Sequence, residues 1–162
     1  MAIEGLVPPP RTLRPPLNRL DAVAKRVAQV YRRARPASRP ASAPWLAALS
    51  DAQRAELRER GHQLLAVLLQ HLNEQGKREA GNLNEATSAA AEYGNRAAAL
   101  GASLSETVEA LVRFREALIG ELAAVVRRRR LDTREATALL VEAESAVDRL
   151  LMALMHGHAG RA

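Results

Sequence analysis

The fold is decided by residues 103–130, which read SLSETVEALVRFREALIGELAAVVRRRR. Apolar side chains recur here every seven residues, and that spacing gives an α-helix one continuous apolar face. Ser103 stands three residues before Glu106, as in a capping box, where each side chain satisfies a free backbone N–H near the helix start. The segment therefore predicts a long amphipathic helix whose inward face contains Leu104, Leu111, Leu118 and Val125, flanked by Val108, Val112, Ile119, Leu122 and Val126.

The same start signal occurs twice more along the chain. Ser50 stands three residues before Gln53, and Asp132 stands three residues before Glu135. Each pair opens a periodic segment, so we predict helices at about 51–73 and 133–156. Their inward residues are Leu57, Gly61, Leu64, Leu65, Leu68 and Leu72 in the first, and Leu139, Leu140, Val147, Leu150, Leu151 and Leu154 in the second.

The remaining segment, 76–100, has a weaker pattern because Gly76, Gly81 and Gly94 interrupt it and its inward side is mostly alanine. No proline follows residue 50. The connections near Gly101 and residues 131–132 are short, so neighbouring helices are expected to pack antiparallel. The sequence predicts an all-α fold with four long helices in a bundle or globin-like stack.

The first third of the chain differs in charge and in proline content. Residues 1–49 contain nine basic and two acidic side chains, a net charge of +7, whereas residues 50–162 total −1. All eight prolines lie in this part, so residues 8–16 and 36–44 are expected to be extended. Between them, 17–34 predicts a short basic helix that docks on the body through Leu20, Val23, Val27 and Val30, with its arginines outward.

These patterns divide the chain into three parts. We predict a proline-rich basic arm at 1–49, a helical domain at 50–157 and a disordered tail at 158–162. The first eleven residues lack the pattern of a signal peptide, and the longest apolar run, Leu64–Leu69, is far shorter than a membrane span. We therefore expect a soluble, cytoplasmic protein with no membrane span.

The composition argues against several classes of function. There is no cysteine, which excludes disulfides, thiolate metal sites and a cysteine nucleophile. Only four aromatic residues occur, too few for a stacking cage. No phosphate-binding glycine loop or nucleophile motif is present, and the four histidines lack metal-ligand spacing. We expect a non-enzymatic protein without a cofactor or a metal; the histidines are His62, His71, His156 and His158.

Arginines are the candidate binding residues. Arg115 stands in an otherwise apolar row, where it either snorkels, pairs with Glu142 or Glu144, or binds an anionic ligand or a partner carboxylate. Arg127–Arg130 end a helix, where cations complement the helix dipole and could also extend a surface for phosphate or acidic partners. In the arm, the candidates for contacts with nucleic acid, through residues 11–39, are Arg19, Arg26, Arg32 and Arg33.

Residues 92–115, EYGNRAAALGASLSETVEALVRFR, resemble the N-terminal domain of stressosome co-antagonist (RsbR-type) proteins. The shared features are the pair Tyr93–Gly94, the turn Gly101–Leu104 and the pair Phe114–Arg115, within a similarity that extends over about 50–155. The resemblance implies a globin-like fold without haem that dimerises and relays a signal to an attached module. No output module follows residue 155, which favours a stand-alone regulator.

Two functions follow as expectations. The first is a regulatory or sensory domain, acting in bacterial signalling or transcription control through homodimerisation and contacts with a protein partner. The alternative is a nucleic-acid-binding regulator that uses the basic N-terminal arm.

Overall fold

The computed structural model describes residues 44–73 and 81–160, together with five helical residues of the arm: Val23, Lys25, Arg26, Val27 and Gln29. Within these residues the structure contains α1 (Pro44–Ala47), α2 (Asp51–Asn73), α3 (Gly81–Ala99), α4 (Leu104–Arg128) and α5 (Thr133–Ala159). No strand occurs in the described part of the chain. The predicted all-α fold with four long helices packed together is confirmed.

The three predicted helix starts are capped by the predicted side chains. At α2, the backbone N–H of Gln53 donates to Ser50 Oγ and that of Ser50 donates to Gln53 Oε1, at 3.2 and 2.9 Å. At α4, Ser103 and Glu106 make the same reciprocal pair of bonds. At α5, Asp132 accepts the N–H of Glu135 at 2.8 Å. These side chains satisfy backbone donors that the first helical turn leaves free.

Two boundaries differ from the prediction. Pro44 was predicted to be extended but begins α1, which is compatible with proline because the first helical turn needs no N–H donor. His158, predicted to lie in a disordered tail, is helical because α5 continues to Ala159. Its ring Nε2 lies 2.8 Å from the carbonyl oxygen of Ala102, and this contact anchors the last turn of the helix.

Two contacts between helices define their directions. Arg96 near the end of α3 bonds to Glu56 near the start of α2, so these helices are antiparallel. His71 near the end of α2 contacts Glu142 near the start of α5, so α5 also runs opposite to α2. Helices α3 and α5 therefore run in the same direction. Their packing is the most extensive in the domain, whereas α3 contacts its sequence neighbour α4 only slightly. Among the long helices, α3 and α4 are thus the neighbouring pair with only slight contact.

Close contact between α3 and α5 depends on small residues. A Cβ atom at Gly157 would lie 2.6 Å from the carbonyl carbon of Ala91, and one at Gly94 would lie 3.1 Å from the backbone nitrogen of His158. A side-chain carbon cannot be accommodated at 2.6 Å from a backbone carbon, so position 157 has room only for glycine. The two backbones touch directly here, and the weak alanine pattern of α3 reflects this contact rather than an exposed helix.

The buried side chains form two clusters. The main one contains most of the predicted leucines of α2, α4 and α5 together with Val23 and Val27 of the arm. The burial of these two valines agrees with the docking prediction, while Leu20 and Val30 lie outside the described residues. A smaller one is formed by Trp45, Leu49, Leu57, Ala97 and Ala102. Both clusters include residues before 50, and the division of the chain at residue 49 stays a prediction. None of the described helices is long and apolar enough to cross a membrane.

The inward face of α4 is rotated slightly from the predicted one. Leu111, Leu118, Leu122 and Val125 are buried, but Leu104 is 38% exposed and Val112 is 43% exposed. Leu104 is the first residue of the helix, beyond the edge of the core, and its assignment to the inward face is wrong. Val112 lies on the side of the helix that faces a groove.

Candidate functional site

A groove of about 330 Å³ lies beside α4 and α5. It is lined by Val112, Arg115, Glu116, Ile119 and Glu144. Arg115 and Glu144 form an ion pair across the two helices, and both side chains are partly exposed. Of the alternatives for Arg115, the structure shows the salt bridge to Glu144, while Glu142 contacts His71 instead. A role for Arg115 in binding stays a prediction.

Apolar side chains extend the surface around this groove. Val141 stands one turn before Glu144 on α5 and is 62% exposed. Met152, three turns further on the same face, is 56% exposed. Val112 on α4 and these two residues on α5 are exposed apolar side chains of the two helices beside the groove. Sequence reasoning missed Val141 and Met152, because a valine or methionine beside a leucine stripe has the same pattern whether buried or exposed.

A second candidate surface lies at the end of α4. Arg127 and Arg128 occupy the last helical turn, Arg129 caps it, and Arg130 follows with a φ of 48°. We call these four residues the arginine turn. Arg127, Arg128 and Arg130 are exposed and Arg129 is half-buried. The ion pairs found in the described residues include none with these four side chains.

The arginine turn has the same backbone geometry as the turn between α3 and α4. The N–H of Leu131 donates to the carbonyl of Val126 at 3.2 Å, and that of Arg130 donates to Arg127 at 3.3 Å. This pair of bonds is a Schellman motif, which requires a residue with positive φ. At the end of α3 the corresponding residue is Gly101, with a φ of 93°. Arginine therefore occupies a position where glycine is the usual residue.

One arm arginine lies close to this part of α4. The guanidinium of Arg26 is 4.0 Å from the carboxylate of Glu121, and Lys25 beside it is exposed. Glu121 precedes Arg128 by seven residues, or about 10 Å of helix. The other arm candidates, Arg19, Arg32 and Arg33, lie outside the described residues, as does most of 11–39.

Ion pairs join α2 to α3 at the opposite end of the domain. Arg96 donates two hydrogen bonds of 2.8 Å to the carboxylate of Glu56, and Arg60 pairs with Glu56 and Glu92. The hydrogen bond from Arg96 holds the pKa of Glu56 below its ordinary value. On α2 itself, the hydrogen bond from Arg54 lowers the pKa of Asp51 in the same way. The pairs of Glu56, Arg60, Glu92 and Arg96 therefore fasten α2 to α3.

The histidines are dispersed over the surface. His62 and His156 are exposed, His71 contacts Glu142, and His158 contacts the backbone of Ala102. In residues 44–73 and 81–160, no three histidine or acidic side chains come together as they would around a metal ion.

Comparison with protein-family models, with characterised proteins and with solved structures finds no match to this chain. The resemblance of residues 92–115 to stressosome co-antagonist domains stays a prediction.

Proposed function

We propose that this chain is a non-enzymatic regulatory domain that acts in the cytoplasm, in bacterial signalling or transcription control, by forming a homodimer and presenting helix faces to a protein partner. The observation that supports this proposal is the set of exposed apolar residues on α4 and α5, the two helices that the Arg115–Glu144 pair joins. Exposed apolar surface of this kind, mixed with charge, is typical of protein–protein contacts.

The residues of the groove fit a contact surface better than a reaction site. Two of the five are apolar, and the other three are an arginine and two glutamates. Arg115 and Glu144 already engage each other, and the lining contains no serine, histidine or lysine.

A second copy of the chain is the occupant that the charges favour. Glu116 makes none of the ion pairs found in the described residues, and it stands next to Arg115, whose guanidinium has donors beyond the pair with Glu144. In a two-fold dimer the same patch meets itself, so Arg115 of each copy can face Glu116 of the other while Val112 and Val141 pack between them. The dimer interface would then bury both the exposed apolar residues and the complementary charges.

Sedimentation equilibrium of the full chain at 1–100 µM tests the proposal (a range around the micromolar affinities of weak dimers). We expect a dimer whose dissociation constant rises roughly tenfold or more in Val141→Asp, since apolar anchors at interfaces cost over about 1 kcal/mol when lost. Leu46→Asp is the matched control, because Leu46 is also exposed but lies on α1. A monomer over this range, or equal effects of the two substitutions, would refute the proposed dimer.

A further inference from the structure

We propose that the arginine turn forms a binding surface for the phosphate backbone of duplex nucleic acid. This surface lies about 12 Å beyond Ile119 along α4 and is separate from the proposed dimer contact. It goes beyond the regulatory function proposed above and does not depend on it.

The charges of this surface are free to act on a ligand. Six other described arginines are engaged in ion pairs: Arg26, Arg54, Arg60, Arg96, Arg113 and Arg115. The arginine turn places four consecutive guanidinium groups at one helix end with no such partner among the described residues. Attraction to the helix dipole accounts for cations in the last turn, Arg127 and Arg128, but falls off beyond it.

Arg130 supplies the second observation. An L-residue with positive φ brings its Cβ close to a carbonyl oxygen, so arginine is less favourable than glycine at this position of a Schellman motif. The neighbouring turn contains glycine at the same position. A residue that weakens the fold where a better one is available indicates that its side chain serves another purpose. For an exposed arginine at the end of a helix, that purpose is contact with an anion.

Two basic arm residues lie near the same helix. Val23 and Val27 are buried in the main core, and this contact fixes the arm helix on the domain. The pairing of Arg26 with Glu121 places that helix along the second half of α4, with Lys25 exposed.

The chemistry of the surface indicates contact with phosphates rather than bases. Trp45 is buried, and Tyr93 and Phe114 pack against the core, so none of these three rings is available to stack on a base. One arginine side chain can donate two hydrogen bonds to the oxygens of a phosphate group. Where no contact to a base is made, such binding does not depend on the nucleotide sequence. A duplex, which offers two continuous rows of phosphates, is the ligand that fits.

Fluorescence anisotropy of a labelled 20-bp duplex with the full chain tests this proposal at about 0.05, 0.1 and 0.2 M salt, the range over which phosphate contacts lose affinity steeply. We expect binding that falls steeply with salt and is equal for two unrelated sequences. Arg128→Gln and Arg130→Gly should each weaken it about three- to tenfold at 0.1 M and reduce the slope of log K against log salt by about 0.9. Arg58→Gln is the matched control, because Arg58 is exposed and makes no described ion pair but lies near the start of α2.

The substitution at position 130 also separates binding from folding. Arg130→Gly should raise the urea midpoint of the protein while it weakens binding, so the loss cannot result from unfolding. Three results would overturn the proposal: no binding at 0.05 M salt, an equal loss of affinity in Arg58→Gln, or binding to anionic lipid vesicles but not to the duplex. A lower urea midpoint in Arg130→Gly would remove the argument from backbone conformation.

Discussion

Replacing Gly157 by alanine tests whether α3 and α5 are in backbone contact. The new Cβ would lie 2.6 Å from the carbonyl carbon of Ala91, whereas ordinary contact begins at 3.4 Å. The helices must therefore separate by at least about 0.8 Å at this point, because the carbonyl oxygen of Ala91 would lie closer still to the new Cβ. The obstructing atoms belong to the backbone of α3, so no side-chain rotation can relieve the overlap.

The magnitude follows from the extent of this interface. A gap of 0.5–1 Å removes about a quarter to a half of the dispersion energy between facing atoms, and overpacking of a core costs roughly 1–3 kcal/mol. Because α3 and α5 form the most extensive contact in the domain, we take the upper value. Alanine is better than glycine inside a helix by about 1 kcal/mol, which offsets part of the loss. The net destabilisation of Gly157→Ala is expected to be about 2 kcal/mol.

Gly120→Ala on α4 is the control, because a Cβ there meets nothing within 4 Å. It should stabilise the protein by about 0.5–1 kcal/mol through helix propensity alone. Urea unfolding followed by circular dichroism, with all variants at one protein concentration, measures both changes. If Gly157→Ala is as stable as Gly120→Ala, the helices are not in backbone contact and the reasoning is refuted.

Three further predictions concern packing, charge and capping. Leu118→Ala should cost about 2–5 kcal/mol in urea unfolding, because the side chain is fully buried, while Leu104→Ala at the exposed helix start should cost under about 1 kcal/mol. The hydrogen bond from Arg96 lowers the pKa of Glu56, so the stability from this pair is present above the ordinary carboxyl pKa of 4.5 and lost as pH falls below it. In Glu56→Gln, the free energy of unfolding should therefore decrease less steeply with falling pH. An unchanged acid dependence would contradict the pairing. Ser103→Ala should destabilise by about 1 kcal/mol through loss of the cap, and an unchanged urea midpoint would count against it.

Local features of the fold could be read from the sequence because their causes lie within a few residues. A capping side chain acts on an N–H three positions away, and α2 begins and ends where the pattern predicts, at Asp51 and Asn73. The packing of α3 could not be read in this way. Its face of alanine and glycine has little apolar contrast, and whether such a face is exposed or in close contact depends on a helix some 60 residues later.

The same distinction between local and long-range causes applies to the residues of the candidate surfaces. The alternatives for Arg115 included the pair with Glu144, but the choice between Glu142 and Glu144 depends on the rotation of α5 against α4. The positive φ of Arg130 had no local signal, because glycine usually marks that position. The basic composition of the arm was evident, whereas its location along α4 depends on the burial of Val23 and Val27.

The order in which the helices pack has a mechanical consequence. Helix α5 lies between α3 and α4, and α3 lies between α2 and α5, so each of these two has an extensive contact on both sides. Helix α4 has one extensive partner among the long helices, α5. A small displacement of α4 would therefore disturb one major interface, whereas displacement of α3 or α5 would disturb two. Both proposed binding surfaces involve α4, so we expect a ligand bound at one of them to affect the other through this helix.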